Sequence, residues 1–359
     1  MTEHQSASTL RVAVTVPLSR NDADYIRQSE PRIELLYEPD LLPPMRHPAD
    51  FDGDPGFSRT AAQQARFDAL VAAGEAFYGI PDLNPAVLKH AVATNRSLRW
   101  VHTSAAGGGG EVKQAGLSES ELSRVIFTSS AGVHGETLAE WAVFGVLAGA
   151  KDLDRLLRQQ SARTWSGRWT MRQLHEMTVL VVGLGGIGRR VAAKFAALGA
   201  RVVAASRREL TAHVGEAEHV DQIIAPDRIS DVVAEVDALV LALPGTSHTE
   251  RLITRSVFDA ARPGLIVVNV GRGTVIDEDD LLSAIEGGQV GYAALDVFAT
   301  EPLPSTSPLW GEQKVLVSPH TAALSVHEDR RIAELFTDNA TRLLDGRPLR
   351  NRIDTIEFY

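Results

Sequence analysis

An apolar segment that runs directly into closely spaced glycines most constrains the fold of this chain. Residues 179–188 read Val-Leu-Val-Val-Gly-Leu-Gly-Gly-Ile-Gly, the spacing Gly-x-Gly-x-x-Gly. A run suited to a helix follows at once, and residues 201–205 read as a second strand. The first glycine permits a tight turn, the second lets a phosphate approach the backbone, and the third lets helix pack on strand. We therefore predict a βαβ unit that binds a dinucleotide pyrophosphate through Gly183, Gly185, Gly186, Ile187 and Gly188. The alternative is a glycine-rich turn in another α/β protein.

The end of the second strand bears on the choice of dinucleotide. A fold that prefers NAD ends this strand with Asp or Glu, which accepts hydrogen bonds from ribose hydroxyls. This chain has Ser206, Arg207 and Arg208 there, so no carboxylate repels a 2′-phosphate and two guanidinium groups are available to bind it. The sequence thus favours NADP over NAD. The alternative is two solvated arginines in a protein that still uses NAD.

The composition excludes several classes of protein. The chain has 359 residues and a net charge of −10, which argues against nucleic acid or an anionic membrane as a partner. It has no cysteine, and its histidines lack metal-ligand spacing, so we predict no disulfide and no catalytic metal. The sequence shows neither a signal peptide nor a membrane-spanning run, and we expect a cytoplasmic enzyme.

Two α/β domains are predicted from the alternation of apolar strands and helical runs. Short strands near residues 11–17, 32–37, 76–80, 98–103 and 125–128 form the first. One apolar helix over 136–157 crosses into the second, which has strands ending near Gly183, Ser206, Pro244, Gly271, Phe298 and Pro319. We assign residues 1–136 plus 326–359 to a substrate domain, and residues 137–325 to a dinucleotide-binding Rossmann domain.

Polar side chains follow several strands of the second domain, where ligands of open parallel sheets bind. A nicotinamide enzyme acting on a 2-oxo or 2-hydroxy acid needs a cation for the carboxylate, a proton donor and a group that tunes the donor. Arg272 suits the first role and His320 the second, while Glu301 is able to pair with His320 and favour its imidazolium form. Taken singly, such residues are more often a surface charge or a structural histidine.

Several blocks of the chain together resemble the D-isomer-specific 2-hydroxyacid dehydrogenases. They are the Gly183–Gly188 turn, Leu243-Pro-Gly-Thr-Ser-His-Thr249, Val268-Asn-Val-Gly-Arg272-Gly-Thr, Ala294-Leu-Asp296-Val-Phe-Ala-Thr-Glu301-Pro and Ser318-Pro-His320. Upstream, Trp100-Val-His-Thr-Ser-Ala-Ala-Gly fits the substrate domain of that family. Where the family often has Gly-Val-Asp, this chain has four successive glycines, residues 107–110.

The resemblance implies a fold and a set of roles. The fold is α/β, with a Rossmann domain and a smaller, flavodoxin-like substrate domain. Arg272 is expected to bind the substrate, and His320 to act as general acid/base with Glu301 as its partner. Asp296 and Val270 face the nicotinamide, and Leu243, Pro244 and Thr249 also contact the cofactor. Backbone amides near Ser104, Ala105, Ala106 and Gly107 hold the substrate carboxylate.

Three functions remain open at this stage. The first is NADPH-preferring reduction of small 2-oxo acids such as glyoxylate or hydroxypyruvate. The second is oxidation of a 2-hydroxy acid with NAD, as in a phosphoglycerate-type dehydrogenase. The third is a non-catalytic, dinucleotide-sensing binding protein. A homodimer is also predicted, with Trp165 and Trp169 in the stretch 155–169 at its interface.

Overall fold

The computed structural model describes residues 9–207, 219–356 and 358. The chain divides into two compact units. Met1–His134 and Leu324–Tyr359 make up the first unit, and Gly135–Ala323 make up the second. Each unit has a parallel sheet of its own, and no helix in the described ranges is long and apolar enough to cross a membrane.

The first unit is built on five parallel strands in the order β2-β1-β3-β4-β5, the flavodoxin-like order. The strands are apolar and largely buried because helices cover both faces. Their bounds are β1 Leu10–Val14, β2 Ile33–Leu36, β3 Ala76–Tyr78, β4 Trp100–Thr103 and β5 Ile126–Ser129. The helices are α1 Arg20–Ser29, α2 Ala61–Ala73, α3 Pro85–Thr94, α4 Gly109–Gln114, α5 Glu119–Arg124 and, from the C-terminal segment, α12 Glu328–Leu344.

Helix α12 belongs to the first unit because it supplies part of that unit's aromatic core. Phe336 is fully buried and stacks on Trp100 of β4, with 4.6 Å between ring centroids. It also meets Tyr78 of β3 edge-on at 5.1 Å. Such pairs add about 0.5–1.5 kcal/mol each to the burial of the rings, so the returning helix is held firmly against the sheet.

The second unit has seven parallel strands in the order β12-β11-β10-β9-β6-β7-β8. Counted within the unit this is 3-2-1-4-5-6-7, the Rossmann order with one further strand. The strands are β6 Thr178–Val182, β7 Arg201–Ala205, β8 Gln222–Ile224, β9 Ala238–Leu241, β10 Leu265–Asn269, β11 Val290–Leu295 and β12 Val315–Val317. The helices are α6 Gly135–Ala150, α7 Leu153–Ser161, α8 Gly186–Ala197, α9 Ile229–Val232, α10 Arg255–Ala260 and α11 Glu278–Gly287.

Two details of the predicted second unit are wrong. The single helix over 136–157 is two helices, α6 and α7, because Asp152 takes a left-handed conformation, with φ of 51°, that interrupts the helix. The indole N–H of Trp169 donates to the carboxylate of Asp152 at 2.6 Å and holds this break. Strand β8 was not predicted, since three residues at a sheet edge make too short a pattern to recognise. Most strands also end one to three residues before their predicted ends.

Candidate active site

The glycine turn between β6 and α8 has the shape that its spacing predicts. Gly183 has φ of +100°, which favours glycine. A Cβ on Gly188 would lie 1.7 Å from the carbonyl oxygen of Gly183, so this helix–turn contact tolerates no side chain. A Cβ on Gly185 would meet no described atom within 4 Å. The second glycine therefore faces open space, as a backbone that receives a phosphate must.

The N-terminus of α8 is available to an anion. Gly185 is its N-cap, and no side chain accepts a hydrogen bond from the first turn, Gly186 to Gly188, in this described segment. The first N–H groups of a helix have no partner within the helix and carry the positive end of its dipole. Gly186, Ile187 and Gly188 thus present N–H groups where a dinucleotide pyrophosphate would bind.

The segment predicted to distinguish NADP from NAD begins directly after β7. Ser206 follows β7 directly, and its N–H donates to the carbonyl of Ile224 in β8 at 3.0 Å. Arg207 is exposed and makes no ion pair with any other residue that the structure describes. Arg208 lies outside the described residues. The unpredicted strand β8 therefore fixes the backbone from which Arg207 projects.

The loop after β9 contains the predicted cofactor contacts Leu243, Pro244 and Thr249. Thr249 is buried, and its hydroxyl donates to the carbonyl of Pro244 at 2.6 Å while accepting the N–H of Thr246 at 2.9 Å. A Cβ on Gly271 would lie 2.5 Å from the carbonyl oxygen of Leu243. The loops after β9 and β10 are therefore packed backbone to backbone.

The loop after β10 presents Arg272. Asn269 closes this loop by accepting the N–H of Gly271 and donating to the carbonyl of Arg272, both at 3.0 Å. Val270 is buried, whereas Arg272 is exposed, and within the described part of the chain its guanidinium donates only to the neighbouring Gly271 carbonyl, at 2.8 Å. Asn269 was not among the predicted site residues, although it positions the guanidinium.

Asp296 is a buried carboxylate with two different oxygens. Its Oδ1 accepts the hydroxyl of Ser318 at 2.5 Å and the N–H groups of Thr321 and Ala322 at 3.0 Å. Its Oδ2 is buried and has no hydrogen-bond partner among the described atoms. Burial raises the pKa of Asp296, and these hydrogen bonds oppose the rise. The unpartnered oxygen fits an amide donor such as a nicotinamide carboxamide, so these residues are compatible with the predicted cofactor.

His320 and Glu301 form a hydrogen-bonded pair at the same edge. The Nδ1 of His320 lies 2.7 Å from one carboxylate oxygen of Glu301, and the other oxygen accepts the N–H of Phe298 at 2.9 Å. His320 has φ of 52°, and its N–H is held by the carbonyls of Asp296 and Ser318. Because a carboxylate only accepts, Nδ1 carries a proton and Nε2 is left to exchange one with a ligand.

Arg272, Glu301 and His320 line one cavity of about 340 Å³. Its other walls come from Gly245, Gly273, Thr274, Phe298 and Ala299. A Cβ on Gly273 would lie 1.8 Å from the carbonyl carbon of Phe298, so this wall also depends on glycine. A cation and a carboxylate-paired histidine beside one small cavity are able to bind an acid and transfer a proton to it.

The predicted carboxylate loop lies in the first unit, directly after β4. Ser104 is 5% exposed, and its hydroxyl has no hydrogen-bond partner within the described ranges. The carbonyl of Ala105 accepts the hydroxyl of Thr103 and the N–H of Ser130. A Cβ on Gly108 would lie 1.9 Å from the Thr103 hydroxyl. Hydrogen bonds to the Ala105 carbonyl thus hold one point of the loop spanning Ser104, Ala105, Ala106 and Gly107, and the backbone passes close to Thr103 at Gly108.

His102 belongs to the core and not to a binding surface. Trp100 donates to the hydroxyl of Thr128 at 2.8 Å, and that hydroxyl lies 2.8 Å from Nδ1 of His102. The Nε2 of His102 lies 3.2 Å from the hydroxyl of Ser130, which donates to the carbonyl of Thr103. Every donor has an acceptor if the imidazole is neutral, and burial lowers the pKa of His102 to about 3.

Comparison with known proteins identifies the family of this chain. A family model described as "D-isomer specific 2-hydroxyacid dehydrogenase, NAD binding domain" matches residues 143–322, half of the chain. The chain therefore belongs to the D-isomer-specific 2-hydroxyacid dehydrogenase family, and it is an NAD(P)-dependent 2-hydroxyacid dehydrogenase. The predicted family and the predicted two-domain α/β fold are confirmed. Among the described residues, no group of three or more potential ligands is arranged to hold a metal ion.

Relatives named for different substrates have similar sequence identity to this chain. Glyoxylate/hydroxypyruvate reductase B of Pectobacterium atrosepticum is 33% identical over 64% of this chain and 72% of the relative. D-3-phosphoglycerate dehydrogenase of Mycobacterium bovis is 35% identical over 62% of this chain but only 41% of the relative. A D-isomer-specific 2-hydroxyacid dehydrogenase from Xanthobacter autotrophicus Py2, solved with NADPH and MES, has a TM-score of 0.76 at 25% identity, covering 99% of this chain and 100% of that one.

Proposed function

We propose that the enzyme reduces small 2-oxo acids of the glyoxylate or hydroxypyruvate kind to D-2-hydroxy acids, preferentially with NADPH. The observation that carries this proposal is the His320–Glu301 pair, 2.7 Å apart, in the cavity that Arg272 also lines. A small cavity with one cation suits a short acid with one carboxylate. The similarity to glyoxylate/hydroxypyruvate reductase B supports the same substrate class.

Each polar residue of the site has a proposed role. The bound cofactor supplies the hydride. Arg272 binds the substrate carboxylate and polarises the C2 carbonyl. His320 donates the proton that the developing alkoxide requires, and Glu301 fixes the orientation of its ring. The predicted carboxylate loop of the first unit consists of small residues, which leave its backbone amides open to the substrate carboxylate. These residues are Ser104, Ala105, Ala106 and Gly107.

We also propose a role for each of the two domains. We assign dinucleotide binding to the second unit, within the predicted range 137–325, and substrate binding to the first, within 1–136 plus 326–359. The contacts proposed for the cofactor are the glycine turn, Leu243, Pro244, Thr249, Val270 and Asp296. An exposed Arg207 without an ion-pair partner in the described ranges supports NADPH over NADH. The Xanthobacter structure with NADPH is consistent with this preference.

A steady-state assay tests the proposal. Purified protein is mixed with NADPH or NADH and with glyoxylate, hydroxypyruvate, pyruvate or 3-phosphohydroxypyruvate, and nicotinamide absorbance is followed. We expect the highest kcat/KM for glyoxylate or hydroxypyruvate with NADPH. The similarity to D-3-phosphoglycerate dehydrogenase favours a second candidate, NAD-dependent oxidation of a phosphorylated 2-hydroxy acid. Higher kcat/KM for the phosphorylated acid with NADH would replace the first function by this one.

We also propose that the enzyme is a homodimer. Trp165 is fully exposed, and Phe144, Leu156 and Leu157 are exposed apolar residues of α6 and α7. Large apolar and aromatic side chains are typical of interface cores. Trp169, also predicted at the interface, is instead partly buried under Arg155, whose guanidinium lies 3.9 Å from its ring centroid. Light scattering at micromolar concentration should give twice the monomer mass, and a monomer mass would contradict the proposal.

A further inference from the structure

At the carboxyl edge of the first sheet, acidic residues outnumber basic ones in the described lining of one cavity. The segment after β1, the segment after β3 and the long loop 42–59 enclose a cavity of about 320 Å³. Asp52, Asp54, Asp82 and Arg59 are its charged residues. Because all strands of the sheet are parallel, this cavity lies at the same edge as the Ser104–Gly107 loop, which follows β4.

Arg59, the guanidinium among the described lining residues of this cavity, is already neutralised. Arg59 binds both carboxylate oxygens of Asp82, at 3.1 and 2.8 Å, and donates to the carbonyl of Leu41 at 2.6 Å. Its guanidinium also lies 3.7 Å from the ring centroid of Phe67. Arg46, on the same loop, is paired with Asp50 at 2.7 Å. Both cations therefore already have a carboxylate partner.

Three carboxylates near this edge make no ion pair with a described residue: those of Asp52, Asp54 and Glu111, of which Asp54 accepts the N–H of Gly56. Asp52 and Glu111 make no hydrogen bond or ion pair with any described residue through their side chains. Glu111 lies in the first turn of α4, four residues after Gly107, and is half-buried. Burial and the charge of Asp52 raise the pKa of Glu111, as expected for two carboxylates in one another's field.

A separate observation indicates that the Ser104–Gly107 loop binds a ligand. Ser104 is buried, and its hydroxyl has no partner in the described part of the chain. Buried hydroxyls rarely stay unpaired, so a ligand group is the expected partner. Lys113, the cation of α4 itself, lies 6.0 Å from the ring centroid of Phe358.

We infer that Asp52 and Glu111 make the enzyme reject 2-oxo acids whose tail beyond C2 carries negative charge, and select acids with a neutral or cationic tail. This inference rests on the proposed function, because it requires the Ser104–Gly107 loop to bind the substrate carboxylate. A phosphate or second carboxylate would meet two unpaired carboxylates and no free guanidinium from Arg46 or Arg59. The residues therefore separate hydroxypyruvate from its phosphorylated form.

The test compares charge-neutralising variants of equal size. Glu111→Gln and Asp52→Asn are assayed with hydroxypyruvate and 3-phosphohydroxypyruvate, and Glu34→Gln, an exposed carboxylate on the edge strand β2, is the matched control. We expect the wild type to favour hydroxypyruvate at least tenfold in kcat/KM. Each variant should raise the relative kcat/KM of the phosphorylated acid about threefold to tenfold. The wild-type preference should weaken as salt is raised from about 0.05 to about 0.5 M.

A second measurement removes the effects of tail size and of turnover. Oxaloacetate and 4-methyl-2-oxopentanoate have tails of similar shape, one ending in a carboxylate and the other in an isopropyl group. Their affinities for the complex with NADP⁺ are measured by calorimetry, where no reduction occurs. Glu111→Gln and Asp52→Asn should strengthen oxaloacetate binding selectively. Equal changes for both acids, or changes equal to those in Glu34→Gln, would overturn the charge selection.

The two proposals fail in different ways. A wild type that reduces hydroxypyruvate and 3-phosphohydroxypyruvate equally well leaves the proposed reductase intact but refutes the role of Asp52 and Glu111. Selective binding of the acid with the neutral tail, without reduction of any 2-oxo acid, supports the charge selection and refutes the proposed reductase. Absence of binding by both acids contradicts the two proposals together.

Discussion

The carboxyl edges of the two sheets differ in how their loops are held. In the second unit, Asn269, Asp296 and Thr249 each bond backbone groups of a loop that follows a strand. In the first unit the loop after β4 has one such bond, from the Thr103 hydroxyl to the carbonyl of Ala105, before it runs into four glycines, residues 107–110, and its Ser104 hydroxyl has no described partner. Loops fixed by particular side chains leave a motif in the sequence, whereas a loop shaped by small residues leaves little.

The largest effect that tests this contrast is expected from His320→Asn in the second unit. Loss of the proton donor should lower kcat for carbonyl reduction roughly 10²- to 10⁴-fold while dinucleotide binding persists. Steady-state kinetics and fluorescence titration with NADPH measure the two effects. His175→Asn, an exposed histidine of the same unit, is the control. Near-normal kcat in His320→Asn would place the proton donor elsewhere, and the first unit would then be searched for it.

The next effect concerns the end of β7. Arg207→Ala/Arg208→Ala should weaken NADPH binding by about 1–3 kcal/mol for each charge-assisted hydrogen bond to the 2′-phosphate that it removes, with little change for NADH. Calorimetry with both cofactors measures the difference. Arg201→Ala removes an exposed arginine from the opposite end of the same strand and is the matched control. Equal losses of affinity for NADPH and NADH would refute the NADP preference.

A smaller effect separates two glycines of the same turn. Gly188→Ala forces a methyl group against the Gly183 carbonyl and should lower the free energy of unfolding by about 1–3 kcal/mol. Gly185→Ala meets no described atom, so it should leave the stability of the apoprotein unchanged and weaken cofactor binding alone. Thermal denaturation with and without NADPH distinguishes the two. The same change in both variants without cofactor would contradict the packing described for the turn.

The smallest effect tests the first unit through its stability. Because the pKa of His102 is lowered to about 3 from an unfolded value of about 6.5, only the unfolded state binds this proton between those pH values. His102 should therefore make the unfolding free energy fall as pH falls below about 6.5, by up to about 1.4 kcal/mol per pH unit.

Urea denaturation at several pH values measures this slope. His102→Gln is less stable overall, since it loses packing against Phe336, but its slope between about pH 6.5 and about pH 4.5 should be shallower. His175→Gln removes an exposed histidine and should keep the wild-type slope. If His102→Gln also kept that slope, His102 would not be a neutral core residue, and the first unit would have a titratable histidine to offer a ligand.

The sequence alone indicated the parts that depend on local spacing. Gly183, Gly185 and Gly188 predicted the turn because each meets a steric requirement within one βαβ unit. His320, Glu301 and Arg272 were predicted as a set because their residue types and their places after strands suit one reaction. The break at Asp152 and strand β8 escaped prediction, since a left-handed residue and a three-residue edge strand produce no periodic signal.

What the sequence by itself determined is the family and the two-domain α/β fold, and it proposed the candidate site residues, because all of these follow from short-range patterns. The tertiary structure decided which groups are paired. It joined His320 to Glu301, left one oxygen of Asp296 without a described partner, buried His102 as a neutral imidazole, and neutralised Arg59 while Asp52 and Glu111 stayed unpaired. Except for the His320–Glu301 pair, which the resemblance to the family implied, these pairings depend on contacts between residues far apart in the chain, and no local pattern encodes which side chain meets which.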